Sequence, residues 1–180
     1  MLDLNARLAR ALAPALLALL LIAQPALSQG TEPTIGTLGE DVGGADAMVH
    51  RALNNFHRAA SQADSLAYFG AFTADGVFLG TDATERWTVE EFRGYARASF
   101  SRGRGWTYVP TERWVTVSAD GNTAWFDERL VNANYGETRG SGALVREAGV
   151  WKVAQYNLTI PVPNELARDF AAQIRALGGG

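Results

Sequence analysis

From residue 106 to residue 163 the chain alternates apolar and polar side chains with a period of two, in four runs divided by turn residues. In the first run, Trp106 to Ser118, one parity carries Trp106, Tyr108, Glu112, Trp114 and Thr116, and the other carries Val109, Val115 and Val117. Pro110 has no N–H to give a ladder, so this run is expected to be an edge strand or one bent by a bulge near its start. Ala119-Asp120-Gly121-Asn122 turns it into Thr123 to Ala133, Asn134-Tyr135-Gly136 into Glu137 to Glu147, and Ala148-Gly149 into Val150 to Ile160. Pro161 and Pro163 stop the sheet. The pattern predicts one antiparallel meander against which everything upstream packs.

Upstream the period becomes helical. Met48, Val49, Ala52, Leu53, Phe56, Ala59 and Ala60 form a stripe that predicts a helix from Ala45 to about Gln62. Asp64 is placed to cap a second helix, Ser65 to Phe72, ended by Ala74-Asp75-Gly76, with a brief strand from Val77 to Gly80. Thr88 and Glu91 form a capping box for a third helix reaching about Phe100, with Trp87 and Phe92 as its hydrophobic staple. Phe92, Tyr95, Ala96, Ser99 and Phe100 are expected inward. After the sheet, Asn164 is placed to cap a last helix whose Leu166, Phe170, Ile174 and Leu177 recur at helical spacing.

Composition changes the picture mainly at the N-terminus. Arg7 and Arg10 precede an apolar run from Ala11 to Ala23, and Ala26-Leu27-Ser28 carries small residues at cleavage-type positions. Residues 1–28 therefore read as a cleavable signal peptide, because the run is shorter than the ~20 residues a spanning helix needs. The expected location is periplasmic or secreted, with no membrane association after cleavage. Residues 29–44, glycine-rich and poor in large apolar groups, read as a flexible linker, leaving 45–180 as one domain. The 180 residues carry a formal net charge of −3, which supplies no electrostatic footprint for nucleic acid. There is no cysteine, so an exported chain would be held by its core alone.

Helices, a short strand, a further helix and then a long antiparallel sheet make an α+β order. The chain resembles the NTF2-like superfamily, and more closely its SnoaL-like branch. The resemblance is carried by Asn54-Asn55-Phe56-His57 through Asp64, the stretch Phe78 to Trp87, Gly105 to Tyr108, Thr123 to Glu128, Arg139 to Gly142, and Trp151 to Thr159. It implies a cone: a strongly curved antiparallel sheet packed against three N-terminal helices, open at one end, commonly dimeric through the sheet's other face, here followed by a C-terminal helix. Enzymes of that superfamily include ketosteroid isomerase, scytalone dehydratase, limonene epoxide hydrolase and polyketide cyclases. Their catalytic sets do not transfer to this chain motif by motif, so the resemblance assigns no catalytic residue.

The candidates come from the residues themselves. Asp127 and Arg139, on strands expected to line the cone, are candidates for an oriented carboxylate and its cation, with His57 as a further acid–base candidate. The competing reading of the same residues is a structural salt bridge from Asp127 or Glu128 to Arg139, and of His57 and His50 a flanking position beside the helix stripe. Tyr68, Asp82, Trp87, Tyr108, Trp125, Gln155 and Asn157 are candidate ligand contacts. Asp82, Glu85 and Arg86 either guard the mouth of a pocket or, for Asp82 with Thr84, order the loop. No metal-ligand spacing and no cofactor motif is present: Gly140-Ser141-Gly142 is neither a nucleophile elbow nor a dinucleotide loop, and its glycines let the sheet bend. The expectation is an exported protein, homodimeric, binding a small organic ligand and supporting cofactor-independent proton transfer of the isomerase, dehydratase or cyclase type. The alternative is a non-catalytic dimeric module with a vestigial pocket.

Overall fold

A computed structural model describes residues 44–178. The expected signal peptide and all but the last residue of the expected linker lie outside the described residues. The element order is α1 (Ala45–Ser61), α2 (Ser65–Gly70), β1 (Phe72–Leu79), β2 (Arg86–Thr88), α3 (Val89–Phe100), β3 (Val109–Val117), β4 (Thr123–Asn132), β5 (Gly136–Glu147), β6 (Val150–Thr159) and α4 (Ala167–Ala176). The strands form one curved, unclosed sheet in the order β2-β1-β6-β5-β4-β3, with α1 to α3 on its concave face.

The four alternating runs become β3 to β6, paired antiparallel in sequence order. Pro110 sits on an edge strand, and the β3–β4 register shifts between Pro110 and Glu112, so both devices that tolerate a proline are used at once. The sheet is nevertheless not a pure meander, because β1 joins β6 in parallel. That pairing also corrects the boundary of the second helix. Helix α2 ends at Gly70, and Phe72 already pairs with Val153, so the turn-like Ala74-Asp75-Gly76 lies inside β1 where its register against β6 breaks.

The helix caps follow the sequence closely for α2 and α3. Asp64 accepts the Ala67 N–H at 2.9 Å, and Thr88 with Glu91 makes the full capping box. Trp87 and Phe92 stack with ring centroids 5.4 Å apart. Two expectations fail. Tyr95 is exposed at the chamber described below, and α4 begins after Leu166 with no side-chain cap from Asn164 and with no residue buried. Among the described residues nothing buries the Leu166, Phe170, Ile174 and Leu177 stripe, so its helical spacing forms a helix without giving it a place in the core.

The core lies between α1 to α3 and the sheet. Val49, Leu53, Phe56 and Ala60 from α1 meet Phe126, Leu130, Leu144, Val153 and Tyr156 from the strands. Tyr68 stands at its centre, stacked on Phe56 at 4.6 Å and edge-on to Phe69, Phe72, Phe92 and Trp106. Such ring pairs contribute about 0.5–1.5 kcal/mol each beyond the area they bury. They fill the space between the helices and the sheet.

Candidate functional site

One charged residue breaks the apolar inner face of β4. Ala124, Phe126, Leu130 and Asn132 alternate inward with Glu128, which is fully buried. Its carboxylate has three partners: His57 Nε2 at 2.7 Å, Arg113 Nε at 2.7 Å, and the Tyr156 hydroxyl, which donates at 2.9 Å. These come from α1, β3 and β6, so four elements meet on a single carboxyl group. Arg113 is buried through its whole side chain and its Nη1 also donates to Asn54 Oδ1 at 2.8 Å and to the His50 carbonyl at 3.2 Å. Asn54 lies one turn before His57, which places both on the sheet-facing side of α1.

A buried ion pair is tolerable only if its remaining lone pairs and protons are also satisfied. Here the carboxylate oxygens are bonded on both sides while Arg113 Nη2 is buried without a partner among the described residues, and burial, which alone would raise the Glu128 carboxyl, is outweighed by His57 and Arg113, bringing it down to about 2. Burial first, and then the adjacent Glu128 charge, hold the Tyr156 phenol well above its ordinary range. It therefore remains a donor. With Nε2 of His57 engaged by the carboxylate, Nδ1 is the ring nitrogen left for other chemistry, the arrangement by which a carboxylate sets an imidazole's tautomer.

Next to this cluster is a void of about 20 Å³, lined among others by His57, Tyr68, Tyr156, Trp106 and Tyr108. It has room for one water molecule. Phe78, Trp106, Tyr108 and Leu158 also wall a second, larger space of about 560 Å³ at the mouth of the cone. Its other walls include Trp87, Tyr95, Asn132, Tyr135 and Glu85. Burial raises the Tyr68 hydroxyl, partly offset by its hydrogen bond with Trp106, and burial likewise raises Tyr108. Both phenols stay protonated at neutral pH. A separate groove of about 440 Å³ runs between α1, α2 and the β5–β6 turn, lined by Met48, Leu66, Val150 and others. It borders none of the Glu128 cluster.

The structure sorts the expected site residues. His57, Tyr68, Trp87 and Tyr108 stand at the void or the chamber. Asp127, Trp125 and Gln155 are exposed on the convex face, and Asn157 lies on that same parity, half-buried. Arg139 is also exposed and, among the described residues, neither it nor Asp127 makes an ion pair; Glu128 pairs with Arg113 and His57 rather than with Arg139. The aspartate is thereby replaced by its neighbour: with a period of two, one step along β4 moves a side chain through the sheet. Asp82 is exposed, and both the Thr84 N–H and its hydroxyl donate to the Asp82 carboxylate, at 2.8 and 2.6 Å, which lowers its pKa and orders the loop. Arg113, Asn54 and Tyr156 were missed. The available signal was Glu128 itself, the one charge on a parity otherwise made of Ala124, Phe126, Leu130 and Asn132.

No group of three or more histidine, aspartate or glutamate side chains suited to a metal ion occurs among the described residues. The geometry is that of an NTF2-like cone: helices capping a curved sheet, a buried polar cluster at depth, and an aromatic chamber at the mouth. Residues 49–163 match the SnoaL-like domain family, and the chain belongs to it. Among curated proteins no relative matches. Among solved structures, an NTF2-like protein of unknown function from Pseudomonas putida is 12% identical with a TM-score of 0.56, over 67% of this chain and 89% of that one. A candidate scytalone dehydratase from Novosphingobium aromaticivorans is 10% identical with a TM-score of 0.54, over 64% and 83% of the two chains. A candidate ketosteroid isomerase from Shewanella frigidimarina is 16% identical with a TM-score of 0.51, over 64% and 97%. At these identities the likeness is one of fold.

Proposed function

We propose that this SnoaL-like domain binds a small organic ligand in the mouth chamber and carries out cofactor-independent proton transfer with His57 as the acid–base group. The observation that carries the reading is the shared wall: Phe78, Trp106, Tyr108 and Leu158 border both the chamber and the void at His57. The chamber has the volume usual for a small-molecule site, and its walls combine aromatic rings with polar groups able to orient a ligand. Glu128 orients the imidazole, leaving Nδ1 to take a proton directly or through one water in the void, and the protonated Tyr68 supplies a hydroxyl beside it. Two fold neighbours carry the names of a dehydratase and an isomerase, reaction types that need such a group.

Thermal-shift screening against neutral carbonyl compounds, steroids and polyketide-like aromatics tests the binding half, since a ligand that prefers the folded state raises Tm. With a hit in hand, His57→Gln is expected to remove turnover while ligand binding persists. Turnover that survives in the variant refutes the assignment of the base.

A second reading is favoured by the aromatic packing between helices and sheet and by the exposed Trp114 and Trp125 on the convex face. In that reading the domain is a homodimeric, non-catalytic module assembled through the sheet. Sedimentation of the wild type and of Trp125→Arg separates the two: a dimer dissociated by the substitution, together with no ligand from the screen, supports the module. Export is part of the proposal in either case, supported by the basic and apolar pattern of residues 1–28; an N-terminus found at Gln29 in the mature protein would support it, and an intact Met1 would oppose it.

A further inference from the structure

The walls of the mouth chamber include one formally charged side chain, Glu85, and no arginine or lysine. Glu85 is fixed in place. Its carbonyl accepts the Gly80 N–H at 2.8 Å, its own N–H donates to the Asp82 carbonyl at 3.0 Å, and its Oε2 accepts the Asp82 N–H at 3.2 Å. Gly80 contributes by what it lacks, because a Cβ there would run into the Glu85 carboxylate. Among the described residues Oε1 accepts no hydrogen bond and Glu85 makes no ion pair. The adjacent Arg86 is exposed on the opposite side of the strand, as alternation requires.

Two positions on from Glu85, on the same side, stands Trp87. It is stacked on Phe92 at 5.4 Å and 12°, and on Tyr95 at 4.9 Å and 25°, a plate of nearly parallel rings. Glu85 lies just before β2, and its side chain and the Trp87 ring both border the chamber. Ring faces carry negative quadrupole potential, so plate and carboxylate both favour positive charge. The same field disfavours anions.

We propose that the chamber takes an arylalkylamine in its ammonium form, with its flat ring laid along the Trp87 plate and its cationic nitrogen on Glu85. The proposal rests on the reading of the chamber as a ligand site and adds the charge class that site selects.

The test is isothermal titration calorimetry of the full chain with tryptamine, tryptophol and indole-3-acetate, three ligands of one ring system carrying a cation, a neutral hydroxyl and an anion. Tryptamine is expected to bind about tenfold more tightly than tryptophol, as a charge-assisted hydrogen bond allows, with indole-3-acetate weakest. Glu85→Gln, which keeps the side chain's shape, is expected to bring tryptamine to within about threefold of tryptophol and to leave tryptophol unchanged. In the wild type, raising salt from about 20 mM to about 500 mM is expected to weaken tryptamine only. If tryptophol or indole-3-acetate binds as tightly as tryptamine, or the preference survives in Glu85→Gln, the ammonium subsite is overturned and the chamber stands. If none of the three binds although a ligand from the thermal-shift screen does, the ammonium subsite alone is overturned; if the screen also yields none, the chamber reading falls and this inference with it.

Discussion

Gly140 on β5 faces Glu128 on β4, and the missing Cβ of the glycine is what makes room for the glutamate carboxyl and the Tyr156 hydroxyl that meets it. A methyl group there would occupy the space of both. The glycine that reads in the sequence as a place for the sheet to bend thus also makes room for the buried charge. Gly140→Ala is expected to destabilise the domain by about 1–3 kcal/mol, the usual cost of forcing extra volume into a packed interior. Urea denaturation measures it, and a change near zero would mean that the glutamate and tyrosine can move apart freely.

Glu128 carries the largest single expected loss. Glu128→Gln preserves volume but leaves the buried Arg113 guanidinium without its counter-charge, which costs about 3–5 kcal/mol when one partner of a buried pair is removed. The double variant Glu128→Gln with Arg113→Met is expected to lose less than the sum of the two single losses, because the stranded charge is gone. Additive losses in a denaturant series would show that the pair is not coupled.

The same carboxyl gives the acid limb of stability its sign. Its pKa lies at about 2 in the folded chain against an ordinary 4.5, so between those values the unfolded chain binds a proton that the folded chain does not. The Glu128 contribution is complete above about pH 4.5 and is lost as pH falls toward about 2. Unfolding free energy measured across this window is expected to fall steeply in the wild type and less steeply in Glu128→Gln. Parallel curves would remove Glu128 from the acid response.

Asp127→Asn is expected to change stability by no more than ~0.5 kcal/mol, as for a solvated surface position, and to leave ligand binding and turnover untouched. Loss of either in a folded variant would bring Asp127 back to the chemistry and contradict its outward position.

Removal of residues 164–180 is expected to leave Tm nearly unchanged, because α4 buries no residue of its own. A fall of several degrees in a thermal melt would mean that the Phe170 and Ile174 stripe packs against the protein in solution.

The outline of the fold was legible for local reasons. Turn residues at Asp120-Gly121 and Ala148-Gly149, the proline at 110, and the Thr88–Glu91 box each act within a few residues of themselves, so their consequences were available before any packing was known. The parallel pairing of β1 with β6 was not, since it joins Phe72 to Val153 with most of the domain between them. The same division runs through the site. His57 was visible as a titratable group beside the apolar stripe of α1, whereas the carboxylates of β4 were paired with Arg139 and not with His57 and Arg113, which Glu128 meets.

By itself the sequence determined the α+β order, the four alternating strands and two of the helix caps, because periodicity and turn chemistry are properties of neighbouring residues, and separate stretches of it carried the resemblance to the SnoaL-like family. Only the tertiary structure decided which parity of β4 faces the helices, and with it that Glu128 rather than Asp127 meets His57, Arg113 and Tyr156. Alternation defines two faces and leaves them equivalent; packing α1 against one of them, and leaving the other to water, is what makes them different.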